Sequence, residues 1–287
     1  MASHAAVSAV SLPTEARDRI TSAAPQRAMI APRQPRRLLV YTHAQGFIHE
    51  SIPYGAFALS EMGRKTGAFT ATVSDDPAMF EPEALKNFDA IALMSTTGNF
   101  LLPRDFVKLD HDTQVRFMVA HNRRQAALER FVLEGKGLVG IHAATDCMYE
   151  WPAFGEIIGG YFNEHPWHEK VAIRVVEPTH CLVAPLEGDF TITDEIYQFK
   201  APYSLSRLRE LLALDTSKTD MRKPNIHRTD GDFAVAWVRK AGAGRVFYSS
   251  LGHRPEIFWN ARLMRFYLAG TQYALGDLPA EDTPSRP

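Results

Sequence analysis

From Arg37 onward, short runs of apolar and β-branched residues alternate with longer segments whose apolar positions recur at helical spacing. Arg37 to Thr42, Phe69 to Ser74, Phe88 to Ser95 and Leu138 to Ile141 have the length and composition of strands, and Ser51 to Thr66 that of a helix. Thr113 to Leu133 reads as a longer helix with Val115, Met118, Val119, Ala126 and Leu128 to one side, stopped by Gly135 and Gly137. Strands separated by helices predict a parallel sheet covered on both faces. The second half changes character: Val171 to Val176, Ile196 to Phe199, Leu211 to Leu214, Phe233 to Arg239 and Arg245 to Ser249 read as strands, with little helix until Phe258 to Ala274. Gly242 and Gly244 in KAGAGR mark a hairpin between the last two. The expected fold class is α/β, a doubly wound and mainly parallel sheet with extra β-strands in the C-terminal half. It occupies one domain over residues 36–276, since no linker or internal repeat divides the chain.

Ligands of doubly wound sheets bind beyond the carboxyl ends of the strands. Three stretches reach that edge with unusual chemistry: THAQGFIHES after the first strand, STTGNF after the third, and HAATD after Leu138 to Ile141. Gly140, His142 and Ala144 repeat the spacing of a nucleophile elbow, in which small residues two before and two after let the chain fold tightly around an exposed side chain. That position normally holds Ser or Cys. Here it holds a histidine, which serves as acid, base or metal ligand, or merely caps the helix. Cys147 follows five residues later, inside the presumed helix, which argues against a thiol nucleophile.

The sequence resembles the ThuA-like, or trehalose-utilisation, family from about Arg36 to Gly276. The matching stretches are FIHESI (47–52), GLVGIHAATD (137–146), GGYFNEHPW (159–167), DEIYQF (194–199), VAWV (235–238) and GAGRVFYSSLGH (242–253). Their number and order carry the resemblance. It implies a class I glutamine amidotransferase-like, flavodoxin-like sheet without the amidotransferase cysteine, and work on trehalose-type disaccharides, especially a keto-sugar made by a partner dehydrogenase.

The remaining candidates follow from residue type and place. His49 and Ser51 either cap the first helix or face the cleft. His165 flanks a Pro-Trp bend, and Trp167, Tyr161 and Trp151 offer aromatic faces for a sugar or for packing. His168 reads as a solvent-side residue. Asp194 and Glu195 are adjacent on a strand and so point to opposite faces, and Tyr197 shares the side of Glu195. His253 follows Gly252 at the same edge as His142. His180 stands where the family more often has proline next, and this chain has Cys181, which weakens any role for it. The resulting expectation is an enzyme in which His142, His253 and Glu195 perform acid–base chemistry on a keto-disaccharide, by elimination, hydrolysis or isomerisation. His49, Ser51, His165, Trp167, Tyr197 and Asp146 would bind substrate. A non-catalytic carbohydrate-binding or regulatory protein is the alternative. His49, His142, His165, Glu195 and His253 are of the right type for a divalent metal, although no H-x-x-x-H spacing joins them.

Composition narrows the partners. The 287 residues are 45% hydrophobic and 23% charged, with net charge -1 and pI about 6.8, so no basic field exists for nucleic acid. No apolar run is long enough for a membrane span. Glycine-rich phosphate spacing is missing, which speaks against a nucleotide cofactor. Two cysteines, Cys147 and Cys181, form no disulfide framework, and a reducing cytoplasm is expected. A homo-oligomer is also expected. Residues 1–35, rich in Ala, Ser, Pro and Arg, are expected to be a disordered tail, and residues 277–287 to fray.

Overall fold

The parallel strands of the first half carry almost no charge, and the fold buries all but the edge strand, Thr70–Ser74, on both faces. In the computed structural model, which describes residues 12–286, β1 (Arg37–Tyr41), β2 (Thr70–Ser74), β3 (Ala90–Met94), β4 (Gly137–Ile141), β5 (Tyr161–Val175), β6 (Phe190–Lys200), β7 (Arg209–Leu214), β8 (Ala234–Ala241) and β9 (Gly244–Ser249) form one sheet. Its order is β2-β1-β3-β4-β9-β8-β7-β5-β6. Pairing is parallel from β2 to β9 and antiparallel from β9 to β6. The late strands thus extend the same sheet, but half the pairings are antiparallel. "Mainly parallel" is therefore corrected to an evenly mixed sheet. Hairpin connections such as β8–β9 leave no room for the crossover helix that parallel neighbours require. Gly242 turns that hairpin at φ +58°, where a Cβ would lie 2.6 Å from the Leu133 carbonyl oxygen.

Helices α1 (Thr14–Ala23), α2 (Ile52–Thr66), α3 (Pro82–Leu85), α4 (His111–Leu133), α5 (Pro152–Ile158) and α6 (Ala261–Ala274) complete the fold. Alternate strand residues feed two cores. Leu38, Val40, Val139, Ile141 and Phe247 pack toward α2 and α6, while Leu39, Tyr41, Leu138, Val246 and Tyr248 pack toward α4 and α5. The 23 residues of α4 span about 34 Å, roughly twice the length of a five-residue strand. Only its second half can lie on the sheet: Leu128, Phe131 and Val132 are buried, whereas Val115, Met118 and Val119, expected to face inward, are exposed.

Both termini differ from the expectation. Part of the N-terminal stretch, residues 1–11, lies outside the described residues. The rest of it includes α1, whose Ile20 is fully buried and whose Arg17 and Arg19 cover Phe57 and Trp259. The C-terminal segment is tied down rather than frayed: Asp277 is buried against Arg36 at 2.7 Å, and the amides of Ser285 and Arg286 donate to the carbonyls of Leu208 and Leu205. Residue 287 is outside the described residues. No helix among those described is long and apolar enough to cross a membrane.

Candidate functional site

The elbow spacing produces the backbone it suggested. His142 leaves β4 at φ +51°, a left-handed conformation that costs an L-residue about 1–2 kcal/mol. Gly140 permits the fold beneath it, because a Cβ there would approach the Tyr248 ring at 2.9 Å and Ile158 at 3.0 Å. The Tyr248 hydroxyl donates to the His142 carbonyl at 2.7 Å and holds the turn from below. His142 itself is fully buried. Its Nδ1–H donates to the Ser250 carbonyl at 2.7 Å, which leaves Nε2 facing Glu195, His253 and Tyr197.

Three chain segments meet there. His142 Nε2, His253 Nδ1 and Glu195 Oε2 form a triangle with sides of 3.4, 3.2 and 3.3 Å. The Tyr197 hydroxyl lies 3.1 Å from His142 Nε2, and the His49 ring stands edge-on to both His142 and His253. His49 Nδ1 is buried and has no hydrogen-bond partner. Ligand atoms of His49, His142, Glu195 and His253 all lie within 4.8 Å of one another.

The His253 loop is clamped from two sides. Asp194, on the face of β6 opposite Glu195, accepts from the amides of Gly252 (2.7 Å) and Arg254 (3.0 Å), and Ser51 Oγ donates to the Gly252 carbonyl at 2.6 Å. Ser51 is fully buried, so it pins this loop instead of meeting a ligand. Gly252 sits at φ +136°, where a Cβ would press on Ile141 at 3.0 Å and on the His142 Cβ at 3.3 Å.

The β5–β6 ribbon supplies the other wall. Between Glu164↔Gln198 and Trp167↔Ile196, β5 advances three residues against two on β6, a β-bulge in the Pro166 region. The extra residue turns His165 and His168 to one face, although three residues apart they would otherwise oppose each other. Their Nδ1 atoms approach the same Glu195 Oε1, at 3.6 and 3.8 Å. Both side chains are almost half exposed, against none of His142. His168, read as a solvent-side residue, therefore belongs to the cluster; its ring stands 4.7 Å from that of His253.

Electrostatics follow the geometry. Burial alone would raise Glu195, but hydrogen bonds and charge from His142 and His253 outweigh it and hold the carboxyl well below its usual range. The same carboxylate raises His253 against the opposing effect of burial. Burial, reinforced by the neighbouring histidines, pushes His49 down to about 3. Burial also lowers His168. Asp194 is raised by burial, which exceeds the opposing pull of His142 and the amides that it accepts from.

The other candidates separate from the cluster. Trp167, expected to contact substrate, is fully buried; its Nε1–H donates to the Asp220 carbonyl at 2.8 Å and its ring packs edge-on against Phe233. An aromatic side chain facing inward from the bulge gains more as core than as a sugar platform. Tyr161 is buried with its hydroxyl on backbone groups, and Trp151 stacks on Phe154. Asp146 accepts from the Tyr149 hydroxyl at 2.6 Å, and burial raises its carboxyl. The aromatic rings beside the cluster are instead Phe162, stacked on His165, and Phe47, two-thirds exposed and edge-on to His49. Cys147 is fully buried with its thiol pKa pushed up by burial, the opposite of an activated nucleophile. His180 donates to the Glu281 carbonyl and fastens the C-terminal segment.

Comparison with known proteins gives one family and a set of similar folds. Residues 37–274 match the family ThuA, described as trehalose utilisation. No curated protein matches the sequence. Among solved structures, a ThuA-like protein of Bacteroides uniformis is 21% identical with a TM-score of 0.61, covering 84% of this chain and 91% of that one. A ThuA-like protein of Parabacteroides merdae is 16% identical at TM-score 0.61, covering 86% and 93%. A protein of Salmonella typhimurium described as cytoplasmic is 13% identical at TM-score 0.52, covering 81% and 97%.

Proposed function

Because the chain belongs to the ThuA trehalose-utilisation family, we propose that it processes a keto-disaccharide by moving the proton on the carbon next to the ketone. The observation that carries this reading is the convergence of His142, His253 and His49 on Glu195, with His165 and His168 reaching the same carboxylate from the exposed side. A ketone acidifies its neighbouring C–H, and a positioned imidazole–carboxylate pair is suited to remove that proton near neutral pH. A site built only to recognise a sugar has no need of five imidazoles around one carboxylate.

Burial redistributes the roles expected from the sequence. His253, which keeps part of its ring exposed and which Glu195 helps to hold protonated, donates to the carbonyl oxygen of the substrate, while His142 and His49, buried behind it, position His253 and Glu195. His168, half exposed and backed by Glu195, takes the α proton, with His165 beside it. The C–H electron pair moves into the carbonyl and leaves an enolate whose oxygen faces His253. Expulsion of the glycosidic oxygen from the next carbon, with protonation of the departing alcohol, cleaves the disaccharide; reprotonation from the other side isomerises it. Phe47 and Phe162 supply the apolar faces for the sugar rings. The reading includes a class I glutamine amidotransferase-like ancestry of the parallel half, supported by the left-handed residue at the end of β4. It also includes a sugar dehydrogenase that supplies the ketone, and a reducing cytoplasm, supported by the free thiols of Cys147 and Cys181.

The test is incubation of purified protein with 3-keto-trehalose and with unoxidised trehalose, followed by NMR. Consumption of the keto-sugar alone is expected. Binding of either sugar without consumption would overturn the enzymatic reading in favour of a recognition protein.

A further inference from the structure

The triangle of His142 Nε2, His253 Nδ1 and Glu195 Oε2 is difficult to explain by hydrogen bonds. With Nδ1 of His142 committed to Ser250, Nε2 has one bonding direction left, yet the Tyr197 hydroxyl, His253 Nδ1 and Glu195 Oε2 all crowd it within 3.1–3.4 Å. One hydrogen on that side of the ring serves only one of these three contacts and leaves the other two in conflict. A cation between them removes the conflict. Four donors bound tetrahedrally at 2.0–2.1 Å stand about 3.3 Å apart. The observed sides of 3.2–3.4 Å match that edge.

Two further observations are independent of the triangle. His49 Nδ1 is a buried nitrogen without a partner, and His49 offers a ligand atom within 4.8 Å of each of the others. The outer contacts are those of a supported metal site: the Ser250 carbonyl fixes the His142 tautomer, and Asp194 and Ser51 hold the His253 loop. We propose that His49, His142, His253 and Glu195 bind one divalent transition-metal ion. Three imidazoles and one carboxylate select a borderline ion of the zinc, cobalt or manganese type over magnesium or calcium, which prefer oxygen shells.

What the ion does rests on the keto-sugar reading: bound there, it polarises the carbonyl and steadies the enolate oxygen as a Lewis acid. Its binding does not rest on that reading. Glu195 then has two tasks, with Oε2 on the ion and Oε1 beside His165 and His168.

The experiment is titration of chelator-treated full-length protein with Co²⁺ alone, read by its visible absorption and by the melting temperature. One equivalent with the intense bands of a four- or five-coordinate ion is expected, with no displacement by Mg²⁺. His49→Ala and His253→Gln should each weaken Co²⁺ binding by about 100-fold or more, the upper end of what losing even an outer-shell partner costs. X-ray absorption of the loaded wild-type protein, which needs no variant to fold, should show three imidazoles in the first shell. Failure to bind Co²⁺, or an oxygen-only shell, overturns the proposal. Full metal binding without keto-sugar turnover would leave the metal site standing and overturn the proposed function. Turnover by metal-free protein would uphold the function and overturn the metal site's part in it.

Discussion

Each group around Glu195 has a separable task at the scale of single residues. His168 is half exposed and makes no contact that the fold requires, so His168→Asn is predicted to leave the melting temperature unchanged and to lower kcat by about 10²–10⁴, the range for loss of a general base. A purely structural role would give the reverse pattern. Asp194 contacts no substrate in this account; it accepts the amides on either side of His253. Asp194→Ala leaves both amides buried and unpaired, so a loss of about 2–4 kcal/mol in urea unfolding is expected. A fall in turnover should accompany it as His253 loses its position. His142 and the alternation that sets Glu195 beside Tyr197 were legible in the sequence, because elbow spacing and strand period are local rules. His168 and the inward turn of Trp167 were not. A one-residue bulge decides which way each points, and nothing in HPWH announces where the partner strand slips.

Elements decide where those residues stand. The parallel strands other than the exposed edge strand β2 were readable as runs buried on both faces, and the β8–β9 hairpin from its glycines. The change from parallel to antiparallel pairing was only half legible, since short strands with short connections do not state their partners. The β5–β6 ribbon, far longer than its apolar runs suggested, gathers chemistry at the carboxyl edge of a sheet in which β6 is the outermost strand. Helix α1 shows the opposite failure, a polar, alanine-rich segment that gains its structure from docking on α2. Its mean composition hid a stripe of Leu12, Ala16, Ile20 and Ala24, all buried. Ile20→Ala is predicted to cost about 2–5 kcal/mol in denaturant unfolding, whereas a disordered tail would register no change.

Over the whole molecule, a near-neutral charge balance conceals buried ionisable groups that link stability to pH. Glu210 on β7 is buried beside Asp232, and burial together with that charge pushes its carboxyl up to about 7 from the ordinary 4.5. The folded state therefore holds this proton more tightly than the unfolded one. The stability it contributes is complete below about pH 4.5 and is lost as pH rises through 7, by something on the order of 3 kcal/mol. Glu210→Gln should raise the melting temperature by several degrees at pH 8 relative to wild type and have little effect at pH 4.5; equal effects at both would contradict the assignment. This group lies away from the histidine cluster, so its titration can be read without interference from catalysis. The central claim concerns one bond, the C–H next to a sugar ketone. Its most direct measurement is NMR of 3-keto-trehalose with the protein in D₂O, beside an unoxidised trehalose control. Loss of the α C–H is expected, either by exchange for deuterium or by elimination to the unsaturated ketone, sharply reduced in His168→Asn, with trehalose untouched. Cleavage of unoxidised trehalose, or turnover of the keto-sugar in which the original α C–H is retained, would contradict it.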